Sequence, residues 1–122
     1  MIKLSRPNIN DSDVAAVTDV LYSESLVQGA QVKSFEDELK TFISSENIVA
    51  VTSGTAALHL CLMELNVGPD DVVYIPDYTF VATANVARVV KANIVLIDVD
   101  LDSYCLSPEA FSKRVMETRH KY

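Results

Sequence analysis

Apolar positions along the chain change their period several times, and each change predicts an element. Asp11-Ser12-Asp13 supplies N-cap candidates for a run, Val14 to Tyr22, whose apolar positions 14, 17, 20 and 21 follow helical spacing. Residues 23–32, SESLVQGAQV, hold no period and contain Gly29. They predict a loop leading into a second helix, KSFEDELKTFI, with Phe35, Leu39, Phe42 and Ile43 on one face. NIVAV, 47–51, is β-branched and apolar, as strands covered on both faces are, and predicts a first strand. Thr55 to Asn66 is too long and too rich in Ala and Leu for another strand and predicts a helix. DVVYIP, 71–76, predicts a second strand stopped by Pro76. TFVATANVARVVKA, 79–92, predicts a helix despite its β-branched residues, and NIVLIDVD, 93–100, a third strand. Ser107-Pro108-Glu109 opens a last helix, with Pro at its first position, reaching to about Glu117. His120, Lys121 and Tyr122 read as a frayed end.

Strands alternating with helices imply a parallel sheet with right-handed crossovers. The expected fold class is α/β, three-layered, with a short, mainly parallel sheet and helices packed on it. At 122 residues the chain makes one domain, 1–122, with N-terminal helices and loop over 1–46 and a βαβαβα core over 47–118. In such sheets ligands gather beyond the carboxyl ends of the strands, which here are residues 52–55, 76–80 and 98–100.

The first of these regions lies in VAVTSGTAALHLCL, Val49 to Leu62, where two apolar runs flank a polar hinge. A strand ending at Val51 and a helix starting near Thr55 put Ser53, Gly54 and Thr55 at a helix N-terminus. Unpaired N–H groups and the helix dipole favour an anion there. Gly54 allows close approach of the backbone, and the hydroxyls add donors. The plainer alternative is that Thr52 or Ser53 simply caps the helix. The stretch contains neither the glycine pattern of a dinucleotide fingerprint nor the lysine of a Walker loop.

Charge narrows the partners. Seventeen acidic residues against ten basic ones give a net charge of −7, and no run of Lys or Arg is long enough to track a phosphate backbone, which argues against nucleic acid. The N-terminus has no apolar core of a signal peptide and no window approaches about eighteen apolar residues, so the expectation is a cytoplasmic protein without a membrane partner. Cys61 and Cys105 are far apart, without the spacing of a zinc or redox motif, and read as reduced thiols. A hydrophobic content of 49% with only three glycines is a high apolar load for so short a chain, and it predicts that some apolar surface meets a partner.

RPNI at 6–9, SLVQG at 25–29, FEDEL at 35–39, SGTAALHL at 53–60, PDYTFVATAN at 76–85 and IDVDLDSY at 97–104 stand in one order and spacing. In these six motifs, from Ile2 to about Val115, the chain resembles the opening part of the DegT/StrS-type sugar aminotransferases, fold-type I enzymes that depend on pyridoxal phosphate. The resemblance implies that the cofactor phosphate falls on Gly54 and Thr55, beside Ser53, and that Phe80 stacks on the pyridine ring. Tyr78 and Thr79 line the same mouth without an assigned role. Loop 25–30 would face a neighbouring subunit's site, with Gln28 as the candidate substrate-binding residue. His59 carries no chemistry in that pattern and reads as a packed, hydrogen-bonded histidine. Asp98 and Asp100, with Asp102 nearby, match a structural turn rather than a metal pair.

Three positions depart from the resemblance: Lys91 and Ile94 stand where a glycine and a proline are usual, and Asp70 replaces a glycine. The lysines at 3, 33, 40, 91, 113 and 121 match no Schiff-base position, and the acidic group facing the pyridinium has no match either. Three readings follow. The chain is the amino-terminal portion of an enzyme that moves an amino group from glutamate to a keto nucleotide-sugar, and is inactive alone. In the second it is a non-catalytic module that self-associates, a homodimer being the simplest closed form. In the third it is a small phosphate-binding module around Ser53 to Thr55.

Overall fold

The computed structural model describes residues 5–119 and 121; His120 and Tyr122, expected as part of a frayed end, lie outside them. In chain order the elements are α1 (Asp11–Leu21), α2 (Ala30–Ile43), α3 (Gly54–Glu64), β1 (Val72–Pro76), α4 (Ala82–Val89), β2 (Asn93–Ile97) and α5 (Pro108–Thr118). Contacts divide the chain into two compact units, Met1–Ala50 and Val51–Tyr122.

The first unit holds α1 and α2. The cap of α1 is Asn10, one residue before the expected candidates. Its side chain accepts from the N–H groups of Ser12 and Asp13, and the Asp13 carboxylate accepts from the Asn10 N–H at 2.8 Å, which makes a reciprocal capping box. Helix α2 begins at Ala30, earlier than its apolar stripe suggested. It ends at Ser44, whose φ of 54° lets Ser45 N–H reach the Lys40 carbonyl at 3.1 Å.

The strand expected at 47–51 does not form. Apolar β-branched residues favour a strand only when another backbone lies alongside to complete the ladder. Here the Ala50 N–H is taken by the Glu36 carboxylate at 2.8 Å, and Val49 is 77% exposed. Among the described residues no strand pairs with this segment.

The second unit carries the sheet. β1 and β2 pair in parallel, with Val72 opposite Asn93 and Pro76 opposite Ile97, and α4 connects them. The α/β class with a parallel sheet is therefore as expected, but the sheet has two strands where three were expected. Ile75 and Ile97 are fully buried, each contributing about 2 kcal/mol, and Val95 joins them with Ala82, Val86 and Ala87 of α4. Small residues on α4 let the helix sit close to the strands. Helix α5 is tied to β1 by the Tyr74 hydroxyl, 2.7 Å from Thr118 Oγ1, and by an edge-on contact of Tyr74 with Phe111. Because Thr118 donates to the Arg114 carbonyl at 2.8 Å, Tyr74 is the donor in that pair.

β2 stops at Ile97 rather than running to Asp100. The last ladder-like bond, Asp77 N–H to the Ile97 carbonyl at 2.9 Å, falls just after β1 ends at Pro76. Past that point Val99 makes one antiparallel bridge to Leu106 as the chain doubles back.

Two helices end in the same motif. In α3, Asn66 N–H bonds the Met63 carbonyl and Val67 N–H the Leu62 carbonyl; in α4, Lys91 N–H bonds Arg88 and Ala92 N–H bonds Ala87, both at 3.0 Å. Each is a Schellman cap whose pivot residue has positive φ, 54° at Asn66 and 65° at Lys91. Asparagine tolerates that conformation, whereas a lysine Cβ meets its own carbonyl. The departure from glycine at 91 therefore has a steric cost. Lys91→Gly is expected to stabilise the chain by about 1 kcal/mol, read as a higher midpoint in urea at unchanged slope.

Candidate functional site

The hinge Thr52 to Thr55 becomes the start of α3. Ser53 is its N-cap, with its hydroxyl accepting the Ala56 N–H at 3.1 Å. That satisfies one of the orphan amides of the first turn. Among the described residues the N–H groups of Gly54 and Thr55 take no partner. The capping reading and the anion reading are thus compatible: Ser53 performs the first, and the next two amides remain free for the second.

Gly54 has open space where a Cβ would stand, so nothing covers this helix end from the side. An open cleft of about 480 Å³ lies beside it, lined by Gly54, Thr55, Leu58, Phe80 and Thr83, among others. Gly54 and Thr55 come from the start of α3, and Phe80 and Thr83 from the turn into α4 and its first residues. The cleft is brought together by the packing of α3 on α4. Phe80 is 74% exposed. A large apolar ring left in solvent beside free backbone donors offers a flat surface on one side and an anion-binding end on the other.

The other candidates fall elsewhere. Ser53 caps the helix without lining the cleft. Gln28 belongs to the first unit, at φ 49° in the loop before α2, on a cavity of about 460 Å³. His59 is half-buried on α3, one turn beyond Thr55. Asp98 accepts from Val99 N–H at 2.9 Å. Asp100 Oδ1 accepts from Ser103 N–H at 2.8 Å and Asp102 N–H at 3.1 Å, an Asx-type turn. Among the described residues no cluster of His, Cys, Asp or Glu could hold a metal ion, and no helix is long and apolar enough to cross a membrane.

Two residues went unremarked in the sequence. Thr83 lines the cleft and its hydroxyl lies 3.3 Å from that of Thr79; the i, i+4 spacing of the two threonines was the available signal. Tyr104, inside the last quoted motif, sets its ring against Tyr78 at a tilt of 45° with centroids 5.8 Å apart. Nothing in the alternation of the chain announces that pair.

Backbone and hydroxyl donation from Ser103 to Asp100, followed by the Asp102 N–H, holds the Asp100 carboxyl below the ordinary value of 3.8. A lowered carboxylate pKa gives support that is complete above that ordinary value and is lost as the pH falls through the lower, folded value. The turn 100–103 is expected to loosen only below about pH 4. Amide exchange at Ser103 should rise there relative to the rest of the chain, and Asp100→Asn should flatten that rise.

A family model for the DegT/DnrJ/EryC1/StrS aminotransferase family matches residues 7–121. Among solved structures, Spr1654 from Streptococcus pneumoniae, described as a sugar aminotransferase and solved in PLP, apo and PMP forms, is 31% identical with a TM-score of 0.85. In its PLP form the match covers 93% of this chain and 29% of that one. A DegT DnrJ EryC1 StrS aminotransferase from Brucella abortus is 34% identical over 88% of this chain and 29% of its own, with a TM-score of 0.81. The aminotransferase TlmJ from Streptoalloteichus hindustanus is 30% identical over 93% of this chain and 32% of its own, with a TM-score of 0.84. The chain therefore spans about three-tenths of the length of these similar proteins.

Proposed function

The chain belongs to the DegT/DnrJ/EryC1/StrS aminotransferase family, and from that premise we propose that it is a portion of a pyridoxal-phosphate-dependent nucleotide-sugar aminotransferase. In that reading it carries the phosphate and ring-stacking part of the cofactor cup. The observation that supports it is the cleft in which Gly54, Thr55 and Phe80 meet. These residues fit the cofactor. Two free amides at the start of an 11-residue helix, one glycine with open space above it and a threonine hydroxyl suit a phosphate, and the exposed Phe80 ring suits a planar heterocycle.

Bound pyridoxal phosphate supplies the electron sink that amino transfer from glutamate to a keto sugar requires. Gly54 and Thr55 bind the phosphate, and Phe80 covers one ring face and keeps water from it. No lysine lines the cleft among the described residues, so the chain has no amine there to move the proton of the reaction. By itself it binds without turning over. A cytoplasmic setting goes with this reading, supported by two free, exposed thiols.

Difference absorbance should show saturable, stoichiometric binding of pyridoxal phosphate to the 122-residue chain. Thr55→Ala should weaken it about tenfold to a hundredfold, the loss of one hydrogen bond to a charged group. Incubation with cofactor, glutamate and a keto nucleotide-sugar should yield no aminated product. Absence of saturable binding would remove the cofactor reading, and product formation would remove the inactive one.

A second reading, self-association as a homodimer, has its own support: α3 buries none of its eleven residues although Leu58, Leu60, Met63 and other apolar side chains ride on it. Light scattering should then give twice the mass of the chain, and a monomer at high concentration would count against it.

A further inference from the structure

Tyr104 stands at φ 55°, in the left-handed region where a bulky side chain is held at a steric cost. The surrounding loop enforces it. Tyr104 N–H donates to the Asp100 carbonyl at 2.8 Å and Asp100 N–H to the Cys105 carbonyl at 2.9 Å. The Asp100 carboxylate accepts from the Asp102 and Ser103 N–H groups, and Ser107 N–H closes on the Asp98 carbonyl at 3.2 Å. The ring so presented gains little burial: Tyr104 remains 62% exposed and its partner Tyr78 69%. Core packing therefore does not account for the strain.

Tyr78 occupies the middle of the turn that ends at Phe80. One end of the turn is fixed by Asp77 N–H on the Ile97 carbonyl at 2.9 Å, and the other by Thr83 N–H on the Phe80 carbonyl at 3.0 Å. Thr79 in the same turn has its hydroxyl 3.3 Å from that of Thr83, whereas among the described residues the backbone of Tyr78 makes no hydrogen bond and its ring contact with Tyr104 is the tether on that residue. We propose that Tyr104 is a positioning residue, which holds Tyr78 and through it sets Phe80 in the cleft opposite Gly54 and Thr55. Its relevance to the cofactor rests on the cup reading given above, while its effect on Phe80 does not.

Glycine at 104 separates strain from contact, because it keeps φ 55° without the steric cost and removes the ring. In Tyr104→Gly the thermal midpoint should hold or rise, yet the ring resonances of Phe80 in carbon-resolved NMR should shift, and pyridoxal phosphate should bind about fivefold more weakly. Tyr104→Phe should restore both, and Tyr78→Ala should displace the Phe80 resonances as Tyr104→Gly does. A purely structural tyrosine predicts the reverse, a change in the midpoint with Phe80 unmoved. Phe80 resonances in Tyr104→Gly that superimpose on the wild type overturn the proposal, whatever happens to affinity. If the wild-type chain takes up no pyridoxal phosphate, the cup reading falls, and the Phe80 comparison still decides whether Tyr104 sets that ring.

Discussion

The parallel register of β1 against β2 fixes the geometry on which the cleft depends. With Pro76 opposite Ile97, the two strands end level, and the bond from Asp77 N–H to Ile97 closes the ladder at the point where proline has removed a donor. Beyond it the chain must turn on both strands at once. One turn becomes 77–80 and delivers Phe80; the other becomes the loop from Asp98 and delivers Tyr104. A register slip of one residue would turn every side chain of the slipped strand to the other face, Ile75 if β1 moved or Val95 and Ile97 if β2 moved, and open part of the buried core. The cleft is therefore coupled to the best-buried part of the chain although its own residues are exposed.

Helix ends supply most of the chemistry that remains. At the start of α3 a serine satisfies one amide and leaves two others free; at its end and at the end of α4 the backbone closes on itself in Schellman caps. The contrast is physical. A capped carboxyl end needs a residue that tolerates positive φ, which asparagine does and lysine does at a cost. An open amino end needs a residue that leaves room, and Gly54 does. Glycine is present where room is required and absent at 91 where the backbone would have favoured it.

The apolar content is only partly used by the described packing. Ile75, Val95 and Ile97 of the strands and Ala82, Val86 and Ala87 of α4 are buried, but α3 has no buried residue, and among the described residues the run at 47–51 has no strand beside it. Burial of such surface is worth about 25 cal/mol per Å², so leaving it in water is a standing incentive to association.

Much of this was legible in the sequence. Helical spacing marked α1, α2 and α5. Short β-branched runs before Pro76 and around Val95 marked β1 and β2, and Thr-Ser-Gly-Thr marked the start of α3, because caps, periods and proline act locally. Asn47 to Val51 could not be read the same way. A strand is a relation between two segments, and its local pattern says nothing of whether a second backbone lies beside it. The end of β2 was likewise set by its neighbour's proline and by the Val99–Leu106 bridge rather than by its own apolar run. Gly54, Thr55 and Phe80 were each nameable from motifs, but their shared cleft exists only once α3 packs on α4, and the Tyr78–Tyr104 contact joins residues twenty-six positions apart. Local preferences determined the elements; the pairing of distant backbones and rings decided where they stop and what they hold.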